Sequence, residues 1–167
     1  MGNPGLEYGK TRHNFGFLAI DELARTMAVT FRHLPLLESE VGVGGLNSYL
    51  LALAKFFQLR EPSQIIVIHD DLDIPLGRIK IKFGGGAGGH KGVASVIESL
   101  GTGDFLRVRL GMGHEKRPMD VIDYVLTPFA SEEIDEVQRS VAKAVKAVQM
   151  IVGEGPERAM TFFHSGN

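Results

Sequence analysis

Histidines, carboxylates and glycine-framed backbone amides are concentrated in three stretches of this chain, and a pair of arginines marks a fourth. The first is Gly2-Asn3-Pro4-Gly5, followed by Tyr8 and by Thr11-Arg12-His13-Asn14. Most Pro-Gly turns are plain turns. Here, however, a histidine stands at the entrance of a helical pattern, where the dipole favours the neutral imidazole that a base requires. The second is His69-Asp70-Asp71-Leu72-Asp73, directly after a short β-branched run that reads as a buried strand. Ligands collect at the C-terminal ends of strands in α/β sheets. Carboxylates placed there offer two chemistries: one orients a histidine in a dyad, or three together hold a divalent metal. The plainer reading is a capped, solvated turn ending at Pro75 and Gly77, and neither metal-ligand spacing nor a nucleophile backs the metal.

The third stretch is Gly84-Gly85-Gly86-Ala87-Gly88-Gly89-His90-Lys91-Gly92. Glycines let a ligand approach the backbone closely, and amides at the following helix start suit an anion. A Walker loop is excluded, because His90 and Gly92 occupy the places of its Gly and Ser/Thr. A dinucleotide fingerprint fails too, since the preceding strand is amphipathic. A flexible loop and an anion-contacting loop both remain open. Arg107 and Arg109 read as the outer face of a strand. No serine or threonine sits in a nucleophile elbow.

The elements that position these residues follow from periodicity. Phe15, Leu18, Ala19 and Leu23 give a helix from Phe15 to Met27. No clear period runs from Thr30 to Gly45. Asn47 is placed to cap a helix reaching about Leu59. Gln64–His69 reads as a buried strand. Gly77–Phe83 alternates, with Arg78, Lys80 and Lys82 on one face and Ile79, Ile81 and Phe83 on the other. A helix from about Gly89 to Leu100 and a strand over Phe105–Gly111 follow. Near Ser131 begins a long helix, its apolar positions Ile134, Val137, Val141, Val145, Val148 and Ile151 stepping by three or four. Gly153–Gly155 stops it, and Pro156 opens a short last helix through about Phe163. Strands interleaved with helices, without repeats or a linker, indicate one α/β domain over residues 1–167 with a parallel crossover.

Composition narrows the classes of function. At 167 residues, 44% hydrophobic and 23% charged, the chain has the make-up of a globular domain able to build its own core. It has no cysteine, which excludes a disulfide framework, a thiolate zinc site and a cysteine nucleophile. No apolar run reaches transmembrane length, and the start lacks a signal-peptide core, so a cytoplasmic protein without membrane contact is expected. Net charge is −2, but six basic residues from Arg78 to Arg109 face only Glu98 and Asp104, whereas eight acidic residues from Asp120 to Glu157 face three basic ones. A local basic surface suits a phosphate backbone; two ordinary solvated faces are the alternative.

Taken together, the motifs resemble bacterial-type peptidyl-tRNA hydrolases. The resemblance rests on GNPGLEYGKTRHNFGF, on IIVIHDDLDIPLGRIKIKFGGGAGGHKGVASVIESLG, and on DFLRVRLGMG followed by DVIDYVLTPF, in that order from Gly2 to about Phe129. It implies a single α/β domain with a mixed, twisted sheet flanked by helices, acting as a cytoplasmic monomer without cofactor or metal. The implied reaction is hydrolysis of the ester between peptide and tRNA in peptidyl-tRNA, which recycles tRNA from aborted translation. His13 matches the family's general base and Asp70 the carboxylate that holds it. Asn3 matches a position that separates blocked from free aminoacyl-tRNA, Tyr8 a tRNA contact, and His90 a histidine of the substrate cleft.

The chain also departs from the family pattern. Beginning at Met1, it lacks the family's first strand, as a truncated chain would. The stretch 28–54 is short and without a Lys-Pro-x-Thr-Tyr-Met-Asn run, so that either Val43-Gly44 or Leu46-Asn47 stands for the Met-Asn pair. Lys91 occupies the place of an asparagine, and its added cation favours phosphate contact. These departures imply a weakened activity. They also motivate a second reading, a catalytically weak or inactive RNA-binding relative of the same fold. A third is a metal-dependent phosphoester hydrolase built on Asp70, Asp71 and Asp73.

Overall fold

The computed structural model describes residues 9, 11–29, 61–113 and 120–165, together with the backbone of 31–34, 39–44 and 49–51. A 3-10 turn at Arg12–Asn14 leads into α1 (Phe15–Thr26); then come β1 (Phe31–Leu34), β2 (Ser39–Gly44), β3 (Tyr49–Leu51), β4 (Ile66–Pro75) and β5 (Ile79–Phe83). After these follow α2 (Lys91–Leu100), β6 (Leu106–Gly113), α3 (Val121–Leu126), a 3-10 turn at Ser131–Glu133, α4 (Ile134–Glu154) and α5 (Pro156–His164). The strands form two sheets. One is antiparallel in the order β1-β2-β3, and the other has the order β4-β6-β5.

The second sheet is mixed. β6 runs parallel to β4 and antiparallel to β5, and α2 lies in the crossover that parallel pairing requires. Along β6 the period of two separates two environments. Leu106, Val108, Leu110 and Met112 enter the main core with Ile68, Ile79 and Ile81, covered by Phe15, Ala19 and Leu23 of α1 and by Val137, Ala144, Val148 and Ile151 of α4. Phe105 instead joins Val67 and Val93 of α2 in a smaller cluster. Fully burying a side chain such as Phe15 or Leu23 stabilises by about 1.5–3 kcal/mol, so the α1–α4–sheet contact fixes the scaffold. α5 packs on β5, where the ring Nε2 of His164 accepts the backbone N–H of Ile81 at 3.0 Å. That caps one donor on an edge strand of the described sheet.

Several expectations need correction. The run at 64–69 was expected to end at His69, but β4 continues to Pro75, so the acidic residues stand in the strand itself. Its register on β6 shifts between Asp71 and Pro75. The shift is possible because a Cβ on Gly111 would collide with the carbonyls of Ile74 and Pro75, and one on Gly113 with that of Leu72. Residues 49–51, expected in a helix capped by Asn47, are a strand paired with Gly42–Gly44; the Gly-Gly-x-Asn-Ser composition before them competes as a turn signal. Residues 52–60 and 1–8 lie outside the described residues. The helices at 15–26, 91–100, 134–154 and 156–164 fall where the periodicity placed them. Among the described residues no helix is long and apolar enough to cross a membrane.

Candidate active site

Three elements bring a histidine–carboxylate cluster together at the middle of β4. Asp70 is buried, at 3% exposure. His13, from the 3-10 turn before α1, places Nδ1 3.3 Å from Asp70 Oδ2 and 3.2 Å from Oδ1. His90, at the N-cap of α2, places Nε2 3.1 Å from Asp70 Oδ1. The two imidazoles face each other with centroids 5.0 Å apart.

The backbone decides where the ring protons sit. Nδ1 of His90 accepts the Val93 N–H at 3.2 Å as the N-cap of α2, so its proton is on Nε2 and is donated to Asp70. His13 meets the same carboxylate through Nδ1, whose proton is donated there, leaving Nε2 with a free lone pair. Burial pushes the Asp70 carboxyl up, but the hydrogen bonds from His13 and His90 overcome it and hold the group at about 2. Asp70 is therefore an ionised acceptor for two rings at neutral pH.

His69 differs from both. It is buried, its Nδ1–H donates to the carbonyl of Asp70 at 2.7 Å, and among the described residues its Nε2 has no hydrogen-bond partner. Burial lowers its pKa to about 4, so it is neutral. Its ring stands edge-on to His90 at 5.0 Å between centroids.

A cleft of about 690 Å³ opens over this cluster. The glycine loop and α2's first turn, with Lys91 exposed, form one wall, and Lys82 adds a second cation. Part of the lining is apolar: α3, started by Asp120 accepting the N–H groups of Ile122 and Asp123, presents Val121, Ile122, Val125 and Leu126.

The three aspartates do not converge. Asp70 is taken by the histidines, Asp71 pairs with Arg109 at 2.6 Å, and Asp71 Oδ1 accepts the backbone N–H of Asp73, which is exposed. Among the described residues the one group with metal-ligand proximity is His13, Asp70 and His90. His90 turns a proton, not a lone pair, toward it, because metal ligation by Nε2 would require that proton on the Nδ1 that caps α2.

Asn3 and Tyr8 lie outside the described residues, as does Asn47; the backbone of Val43 and Gly44 is in β2. Arg107 and Arg109 are a correction: they are not a solvated outer face. Arg107 is buried, with burial and then Arg109 lowering its pKa. It donates to the carbonyls of Gly86 at 2.6 Å and Gly103 at 3.3 Å and also to that of Gly85, pinning the glycine loop. The signal was present in the alternation: Phe105 shares the face of Arg107 and lies 4.6 Å beneath its guanidinium, and an aromatic on that face belongs to a covered side. Arg12, which the sequence did not single out, forms a partly buried fork with Glu133.

The sequence and fold resemble those of known proteins. The family model described as "Peptidyl-tRNA hydrolase" matches residues 1–52 and 47–167, two pieces that meet inside the stretch 28–54 expected to be short. The chain is 41% identical to a peptidyl-tRNA hydrolase of Thermodesulfovibrio yellowstonii, an alignment covering 98% of this chain and 96% of that protein. It is 40% identical to one of Neisseria gonorrhoeae, over 99% and 94% respectively. The crystal structure of peptidyl-tRNA hydrolase from Acinetobacter baumannii superposes with a TM-score of 0.86 at 31% identity, covering 96% of this chain and 89% of that one. Sequence match along the whole length and likeness of fold agree, and the chain belongs to the peptidyl-tRNA hydrolase family.

Proposed function

We propose that this chain hydrolyses the ester joining a peptide to the terminal ribose of tRNA, with His13 as general base. The observation that carries the assignment of the base is the pair of bonds on Asp70: both carboxylate oxygens are engaged by ring nitrogens, and among the described residues only His13 of the two rings has its second nitrogen unengaged by a backbone donor. Nε2 of His13 takes a proton from a water molecule. The hydroxide so formed attacks the ester carbonyl carbon, and the bond to the ribose oxygen breaks as that oxygen takes the proton back from the His13 imidazolium. Asp70 stabilises the imidazolium during the step, as an ionised partner does in a histidine dyad. His90 holds Asp70 and closes the cleft beside it.

The substrate's two parts have separate walls. The apolar face of α3 suits peptide side chains. The exposed Arg78, Lys80 and Lys82 of the β5 strand and its turn, continued by Lys91, suit the phosphates of the tRNA acceptor end. Asn3 and Tyr8 belong to the same reading through the family motif, as contacts to the peptide end and the tRNA. The reading carries with it a monomer acting in the cytoplasm without a metal, in keeping with a cysteine-free sequence; sedimentation and excess chelator test those two points. The relatives described above are named as hydrolases, and nothing in the comparisons favours the inactive RNA-binding relative.

The test is release of peptide from an N-acetyl-aminoacyl-tRNA. Turnover by the wild type and none by His13→Ala, with tRNA affinity retained, is the expected result. Equal turnover by both would overturn the assignment of the base.

A further inference from the structure

Arg12, next to the proposed base, is 7% exposed and makes a two-bonded fork with Glu133, Nη1 to Oε1 at 2.9 Å and Nη2 to Oε2 at 2.6 Å. Among the described residues its Nε has no partner, and the fork is what compensates the buried charge. The guanidinium lies 4.5 Å from the ring centroid of Tyr124 and 4.8 Å from that of Phe129. Each partner is itself fixed. Glu133 Oε2 accepts the Ala130 N–H at 2.7 Å, Tyr124 donates its hydroxyl to the Met112 carbonyl of β6 at 2.8 Å, and Phe129 packs edge-on against Phe15. The backbone repeats the connection, with Arg12 N–H donating to Thr127 O at 3.0 Å and Thr11 bridging Pro128.

These contacts join two things that have no other reason to meet. One is the turn that carries His13; the other is α3 with the segment leading to α4, which forms the apolar wall of the cleft. We infer that Arg12, through its fork with Glu133 and its stack on Tyr124, is a positioning residue that sets His13 against Asp70 and against the α3 wall. Arginine is required rather than lysine, because only a planar fork bonds both oxygens of Glu133 while lying on two aromatic rings. The inference rests on the reading of His13 as the base. Displacing a reacting group by about 1 Å costs on the order of 10²-fold in rate, so the effect belongs in kcat.

Steady-state kinetics on N-acetyl-aminoacyl-tRNA, run well below each variant's melting temperature, test this. Arg12→Lys and Glu133→Gln are each expected to lower kcat at least tenfold while KM stays within about twofold. Tyr124→Phe, which loses only the hydroxyl bond to Met112, is expected to lower kcat severalfold and serves if the other two do not fold. A folded variant with wild-type kcat would overturn the inference, and so would a raised KM at unchanged kcat. His13→Ala in the same assay separates the two claims: if it retains turnover the base is misassigned, and if it is inactive while Arg12→Lys is fully active only the positioning role fails.

Discussion

His69 and Asp70 are neighbours in sequence whose titrations are displaced from different causes. The Asp70 carboxyl is held at about 2 despite its burial, below the unfolded value of about 3.9, so it contributes stability above pH 4 that is lost as pH falls from about 4 to 2. Burial lowers His69 to about 4 against about 6.5 in the unfolded chain. Between those values the unfolded chain binds a proton that the folded one refuses, so stability falls as pH drops from about 6.5 to 4, by roughly 3 kcal/mol in all. Urea midpoints at pH 7 and pH 4.5 should therefore diverge in the wild type and converge in His69→Phe, whatever that variant's stability at pH 7. An undiminished pH effect in His69→Phe would show that another group is responsible. Asp70→Asn should slow peptide release about 10²-fold, since a carboxamide has a single acceptor oxygen for two ring donors; initial rates at saturating substrate check it. The titratable side chains were legible in the sequence because each stood in a motif of its own. Arg107 was legible only through Phe105 on its own face, and Arg12 was not, because an arginine's burial depends on what covers it and Glu133 is remote from it in sequence.

At the scale of elements, the edge of β5 is protected by α5. His164→Leu leaves the Ile81 N–H without its acceptor and is expected to cost about 1 kcal/mol of stability, read as a lowered urea midpoint with activity per folded molecule unchanged. An unaltered midpoint would mean that water replaces the imidazole at no cost. Helices with a sustained period of three or four, such as Ile134 to Ile151, were readable because most of their apolar stripe is buried against α1, α5 and the sheet. Strands at 31–34 and 39–44 were not, since Ser39-Glu40-Val41-Gly42-Val43-Gly44 has neither bulk nor a polar face to alternate with. The extension of β4 through its aspartates escaped notice for a related reason. Charged residues in a strand normally signal its end, and here Asp70 and Asp71 each have a partner, His13 with His90 for one and Arg109 for the other.

For the whole molecule, the uneven charge along the chain gives the −2 net value its meaning. If Arg78, Lys80 and Lys82 meet the tRNA backbone, replacing all three by glutamine should weaken tRNA binding and reduce the slope of log affinity against log salt by up to about 3. An unchanged slope would place the tRNA elsewhere on the surface. The mixed α/β architecture was legible from interleaved strands and helices. The pairing of the turn at residues 11–14 with the segment 124–133 was not, because its arginine fork, ring stack and backbone bonds join residues more than a hundred positions apart. The account as a whole stands on a single catalytic group. The measurement that tests it most directly is the rate of peptide release from N-acetyl-aminoacyl-tRNA by His13→Ala beside the wild type, with tRNA binding followed on the same samples. Loss of release with binding retained is the expected result; release at the wild-type rate would contradict the account.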